Sequence, residues 1–369
     1  MRFKINSQEL QKVLSKVIGV VPTKTTIPIL ENVLFELTSN KLNITATDLD
    51  MAMSVAIEVT GEKDGKVALP AKRMFETIRA LPPTDVEFSM DSNYKITLKT
   101  KSGEYKLTGE TSVDYPSIPN FKSDVDIDMS ADTLKGMINK SSFAVSSDEL
   151  RPAMTGVLIH IKENELRTVA TDGHRLVRII TKGLKLPKKV EEILIPSKSL
   201  NLALKCIEGN TKISFDEKHI TFNFGKGVLY SKLIDEQYPN YEAVIPLDYT
   251  KKVMVDRAQL LSSVRRVSLY SNNTTHQVRF IFSENQLVIF AQDYEIGGEA
   301  KETLHCEYKG DALEIGFNST YVIDVLGHLE SENVTIEFDT SIKATIFREV
   351  EKKENEDILM IVMPVRLNN

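Results

Sequence analysis

The most chemically suggestive run in the 369-residue sequence is Thr171-Asp172-Gly173-His174-Arg175-Leu176. A carboxylate two positions from an imidazole could hold a metal or act as a base. The rest of the chain does not complete either role: spacing places no nucleophile and no third ligand near the pair. The matching positions elsewhere are Asp48-Leu49-Asp50 and Asp293-Tyr294-Glu295, which lack histidine. An aspartate at a strand end is more simply a turn residue. The two cysteines, Cys206 and Cys306, have no Cys or His at zinc-finger spacing, and His305 beside Cys306 does not make a four-ligand site. They are expected to be reduced thiols. No GxxxxGK[ST] loop is present, so ATP hydrolysis is not expected. The sequence predicts no enzyme, no metal and no cofactor.

The same aspartates expose a repeat. Leu42-Asn43-Ile44-Thr45-Ala46-Thr47-Asp48, Leu166-Arg167-Thr168-Val169-Ala170-Thr171-Asp172 and Leu287-Val288-Ile289-Phe290-Ala291-Gln292-Asp293 each read as a strand ending in Ala-(Thr/Gln)-Asp. Their final aspartates lie 124 and 121 residues apart, close to one third of the chain. Ser7-Gln8-Glu9-Leu10, Ala131-Asp132-Thr133-Leu134 and Arg257-Ala258-Gln259-Leu260 each open a helical pattern. Leu69-Pro70-Ala71-Lys72, Ile195-Pro196-Ser197-Lys198 and Phe317-Asn318-Ser319-Thr320 give a third track in the same order. Helical spacing of apolar residues predicts helices over 7–20, 71–80, 131–145, 197–208, 256–270 and 319–330. In the first copy, strands are predicted near 29–37, 41–47, 51–59, 85–89, 94–100 and 104–110, with turns at Asn40-Lys41, Asp91-Ser92-Asn93 and Lys101-Ser102-Gly103. Each copy thus reads as two helix-plus-strands halves, an α+β organisation. Copy boundaries fall near 119–128 and 245–252, giving domains 1–122, 123–246 and 247–369.

The sequence has 46 basic and 52 acidic residues, a formal net charge of −6, which argues against a uniformly basic nucleic-acid binder. The first five helical windows run the other way, with twelve basic residues against five acidic ones. Lys12 and Lys16 are one turn apart, so a basic stripe on a helix layer is expected. The sixth window has Asp324 and Glu330 and no Lys or Arg. With no aromatic ladder beside the charge, such a layer would hold duplex phosphates without reading sequence, more weakly as salt rises. No run of about 18 uncharged apolar residues occurs, and the first residues lack the apolar core of a signal peptide. A cytoplasmic protein with no membrane contact is expected.

At this point the chain resembles the beta subunit of bacterial DNA polymerase III, the sliding-clamp family. The resemblance rests on the triple repeat, Thr171–Leu176, Tyr238-Pro239-Asn240-Tyr241, Gly316-Phe317-Asn318-Ser319-Thr320-Tyr321-Val322 and Met363-Pro364-Val365-Arg366-Leu367. It implies a DNA clamp fold of three similar domains that forms a ring as a head-to-tail homodimer. The ring would encircle double-stranded DNA topologically and non-specifically. It would tether the replicative DNA polymerase, the clamp loader and other clamp-motif proteins of replication and repair. The resemblance also implies a peptide pocket between the second and third domains. Its lining would be Met154, Thr171, Gly173, His174, Arg175, Leu176, Pro239, Val244, Asn318, Tyr321, Ala344, Ile361, Val362, Met363, Pro364, Val365 and Arg366. Met154 and Val365 stand where the family often has leucine and methionine. Lys24, Arg73, Glu149, Arg151 and Lys198 match positions near DNA, and Arg151 could equally serve the pocket rim. Tyr105 and Leu107 resemble one side of the subunit join, Leu269 and Tyr270 the other. The alternative is a monomeric peptide-binding scaffold of replication and repair proteins that does not encircle DNA.

Overall fold

A computed structural model describes residues 1–118, 122–187, 191–295, 297–351 and 353–367. Part of the first expected copy boundary, 119–121, lies outside the described residues, as does the end of the third expected domain, 368–369. Six α-helices are present among the described residues: α1 (Ser7–Val17), α2 (Ala71–Ala80), α3 (Ala131–Ser142), α4 (Ser197–Cys206), α5 (Arg257–Ser268) and α6 (Ser319–His328). Leu10, Val13, Leu14 and Val17 form the buried stripe of α1, and Leu260, Val264 and Val267 that of α5. The residue ending the preceding strand often caps the helix. Asn6 accepts from the Gln8 N–H, Asp256 from Gln259 and Asn318 from Thr320.

Several helices end two or three residues before the apolar pattern does. After α1 the Val20 N–H donates to Val17 O, and after α5 the Tyr270 N–H donates to Val267 O. These i to i−3 bonds tighten the last turn, so the spacing persists while the α-helical ladder stops. Likewise the strand expected from residue 29 begins at Asn32, because Pro28–Glu31 forms a 3-10 turn with proline at its start.

Each helix is entered from a strand and followed by three antiparallel strands, which is the half repeat expected from the sequence. The chain divides into two compact units. The first contains residues 1–135 and 198–233, the second 136–197 and the described chain from 234. The first unit has an eight-stranded sheet in the order 125–130, 210–215, 219–223, 227–232, 51–58, 41–47, 32–38, 65–70. The second has one in the order 191–196, 156–162, 165–171, 175–182, 356–362, 345–349, 333–338, 251–256. Each sheet takes four strands from one copy of the repeat and four from the next. The joining ladders are 227–232 on 51–58 and 175–182 on 356–362. A smaller sheet remains in each unit. One runs 60–63, 2–6, 85–90, 95–99, 104–108, and the other 298–305, 286–293, 277–283, 313–318. Phe3 and Phe35 stack on Phe88 in the first unit, and Phe282 stacks on Phe338 in the second.

The basic helix positions divide into two groups. Lys12, Lys72, Arg73, Lys205 and Arg265 are exposed. Others serve the fold. Arg257 donates to Ser331 O and to Leu326 O near the end of α6. Arg266 forms a two-bonded pair with Glu302. Lys140 is 4% exposed, with its Nζ 2.9 Å from Glu356 and 3.3 Å from Glu330. This also accounts for the acidic character of α6 and its end: Asp324 receives Arg175, and Glu330 receives Lys140 and Lys353.

Two outcomes are expected. Lys140→Ala leaves Glu356 largely buried without its cation and lowers unfolding free energy by about 2–3 kcal/mol, whereas Lys140→Met loses less; urea unfolding measures both. Burial pushes both thiols, Cys206 and Cys306, up to about 11. At pH 8 roughly a thousandth of each is thiolate. Neither reacts with an aromatic disulfide reagent in the folded protein, and both react in denaturant.

Candidate functional site

The three Asp-centred motifs are hairpin turns. Asp172 Oδ1 accepts from the His174 and Arg175 N–H groups, each at 2.9 Å. Asp48 Oδ1 does the same for Asp50 and Met51, and Asp293 accepts from Glu295. Thr171 Oγ1 donates to Arg175 O, as Thr47 Oγ1 does to Met51 O. Gly173 takes φ +91°, which glycine adopts freely, while Leu49 holds φ +78° at the matching position. The Asp172 carboxylate is therefore occupied by its own turn and by Arg175 Nε at 3.0 Å. Among the described residues no group of three His, Cys, Asp or Glu could hold a metal ion.

This turn sits beside a buried apolar cluster within the second unit. The 175–182 on 356–362 ladder sets Leu176 opposite Ile361 and Arg175 opposite Val362. Leu176 and Ile361 join Leu158, Val169, Leu194, Tyr238 and Tyr241 in one buried cluster, against which Ala153 and Ala344 pack. The Met363 N–H donates to His174 O at 2.8 Å, and Val365 pairs with Gly316. Met363 remains 38% exposed and Val244 55% exposed, so apolar side chains border the cluster without being covered. Asn318 caps α6, and one turn on its Tyr321 stacks on His174. Burial raises the Tyr321 hydroxyl pKa, with Asp172 adding to the effect.

Arg151 lies beside this turn, close to Gly173. Its Nη1 is 3.7 Å from Met154 Sδ, and its Nε pairs with Asp148 at 2.9 Å. Of the other positions matched to DNA contacts, Lys24, Arg73 and Glu149 are exposed, and Lys198 pairs with Asp48 at 2.7 Å. Tyr105 is 37% exposed, Leu269 77% and Tyr270 45%, whereas Leu107 is only 8% exposed and packs into its own sheet. Sequence reasoning did not single out Phe143 or the pairing of Asp324 with Arg175. Asp324 lies three residues after Tyr321 and so shares its helix face, which was the one available signal.

The chain matches known proteins along its length. Family models described as the N-terminal, central and C-terminal domains of the DNA polymerase III beta subunit match residues 1–119, 128–240 and 242–366. The beta sliding clamp of Escherichia coli (strain K12) is 30% identical over 373 residues, covering 100% of both chains. That of Chlamydia muridarum is 30% identical over 371 residues with the same coverage. Among solved structures, the sliding clamp of Bartonella birtlesii bound to griselimycin superposes with a TM-score of 0.95 at 30% identity, and that of Bacillus subtilis with 0.93 at 27%, both covering 100% of each chain. The three-domain clamp fold and the full-length match together establish that the chain belongs to the bacterial DNA polymerase III beta subunit family, the sliding clamps.

Proposed function

We propose that this chain works as a ring-shaped homodimer that encircles duplex DNA and tethers the replicative polymerase, the clamp loader and other replication and repair proteins through the cleft around Leu176 and Met363. The observation that carries the ring is the pair of open sheet edges. Strand 104–108 ends the meander after α2, just as 227–232 and 356–362 end those after α4 and α6. Strand 298–305 ends the meander after α5, as 51–58 and 175–182 do after α1 and α3. The latter strands are the ones that pair inside the chain, and 104–108 and 298–305 are outermost in their sheets. Pairing of 104–108 with 298–305 of a second chain repeats the internal joins and makes the contact head to tail. Exposed Tyr105, Leu269 and Tyr270 fit that join.

Domains 1–122, 123–246 and 247–369 are the corresponding units of the ring. Lys24, Arg73 and Lys198, with the exposed helix lysines, supply a weak attraction to phosphates. The acidic total charge suits a ring held by topology rather than affinity. No described helix is long and apolar enough to cross a membrane. The carboxylate–imidazole pair at 172–174 serves the turn and the cleft, and the reading is non-enzymatic.

Solution mass and negative-stain imaging test the ring: particles of twice 41.5 kDa with a central hole are expected, and monomers at micromolar concentration favour the scaffold without DNA encirclement. A Leu269→Glu, Tyr270→Glu double variant is expected to shift the mass toward the monomer without unfolding the chain. Met363→Glu places a charge on the cleft and is expected to weaken polymerase tethering at least tenfold with the ring mass unchanged.

A further inference from the structure

Five flat groups lie in sequence across the second unit. The His328 ring stacks on Phe143, with centroids 4.0 Å apart and planes 9° from parallel. The Arg175 guanidinium lies 5.3 Å from the Phe143 centroid and 4.9 Å from that of Tyr321. His174 closes the series, stacked on Tyr321 at 5.7 Å and 12°. Phe143 follows the last residue of α3, His328 ends α6, and Tyr321 stands in the first turn of α6. The donors of Arg175 are committed inside the chain. Its Nε reaches Asp172, its Nη1 Asp324 and its Nη2 the Phe143 carbonyl at 2.8 Å. The side chain is 11% exposed.

We infer that Arg175 is a positioning residue, backed by Phe143 and His328, that sets the cleft-side Tyr321 and His174 rather than holding the docked peptide itself. The inference rests on the reading of the cleft as the peptide site. A planar guanidinium can hold two aromatic faces and three acceptors at fixed angles at once, which an ammonium cannot. Phe143 supplies both a ring face and a carbonyl to it, and His328 fixes the Phe143 ring. Neither Phe143 nor His328 is among the residues expected to line the peptide site, and Phe143 meets both Arg175 and His328.

The test uses the full chain and a fluorescein-labelled peptide bearing one amide side chain beside apolar anchors, titrated by anisotropy. Phe143→Leu keeps apolar bulk and removes the aromatic face, Phe143→Tyr keeps the face, and His328→Leu removes the backing ring. Phe143→Leu and His328→Leu are expected to weaken the peptide about tenfold, with Phe143→Tyr within about twofold of the unchanged chain. The Arg175 Nε–H signal in 15N spectra is expected to stay protected from exchange in Phe143→Tyr and to lose protection in Phe143→Leu. Full binding by both leucine variants, with Met363→Glu inactive, overturns the inference and leaves the cleft as the peptide site. Equal loss in Phe143→Tyr and Phe143→Leu overturns it too, because bulk rather than the ring face would then be at fault. Full binding by Met363→Glu overturns the peptide-site reading itself.

Discussion

The antiparallel ladders between 51–58 and 227–232, and between 175–182 and 356–362, decide how the repeats can be arranged. A strand edge carries unmet N–H and C=O groups, and a sheet that stops inside a fold must cover them. In this chain the edge of one copy is met by the edge of the next. Both eight-stranded sheets and the buried faces under the helices follow from that pairing. The ladder carries Ile361 and Val362, and with them Met363, alongside the 172–176 turn.

The two joins use one backbone plan with different chemistry. The Lys232 N–H donates to Asp50 O at 2.8 Å, and the Met363 N–H donates to His174 O at the same distance. At the first join the side chains beyond these bonds are charged: Lys232 pairs with Asp50, and Lys198 with Asp48. At the second they are Met363, His174 and the Asn318–Tyr321 stretch, and Gly173 replaces the bulk of Leu49. Ion pairs fill one surface, and apolar side chains stand exposed on the other. Two equivalent positions thus carry different surface chemistry, by changing a few residues at a turn whose hydrogen bonds stay fixed.

The helices and meanders were legible in the sequence because they are local. Leu10, Val13, Leu14 and Val17 announce a helix, and the Ala-(Thr/Gln)-Asp ending announces a turn within a few residues. The ladders between copies were not legible, since residues 51–58 and 227–232 are distant in the chain and nothing in either strand names its partner. Lys140 reads as a surface residue because lysine is rarely buried unless paired, and its partners Glu330 and Glu356 come from remote elements. Of the candidate site, Leu176, Ile361 and Ala344, named by resemblance, fall in or against one buried cluster. What Arg175 bonds to was not legible, because Phe143 and Asp324 become its neighbours only through the fold, whereas Arg151 pairs with Asp148 only three residues away.

The sharing of each large sheet between successive copies also bears on ancestry. A gene carrying one copy would have made a chain with two small sheets, each ending in an open edge of a different kind. Such a chain has no way to satisfy both edges alone, but each edge complements the other on a neighbouring molecule. Self-association is one way such a single-copy chain could meet both edges. Fusing copies end to end turns encounters between molecules into contacts within one, at the high effective concentration a short tether provides. Each fusion leaves fewer joins that depend on protein concentration.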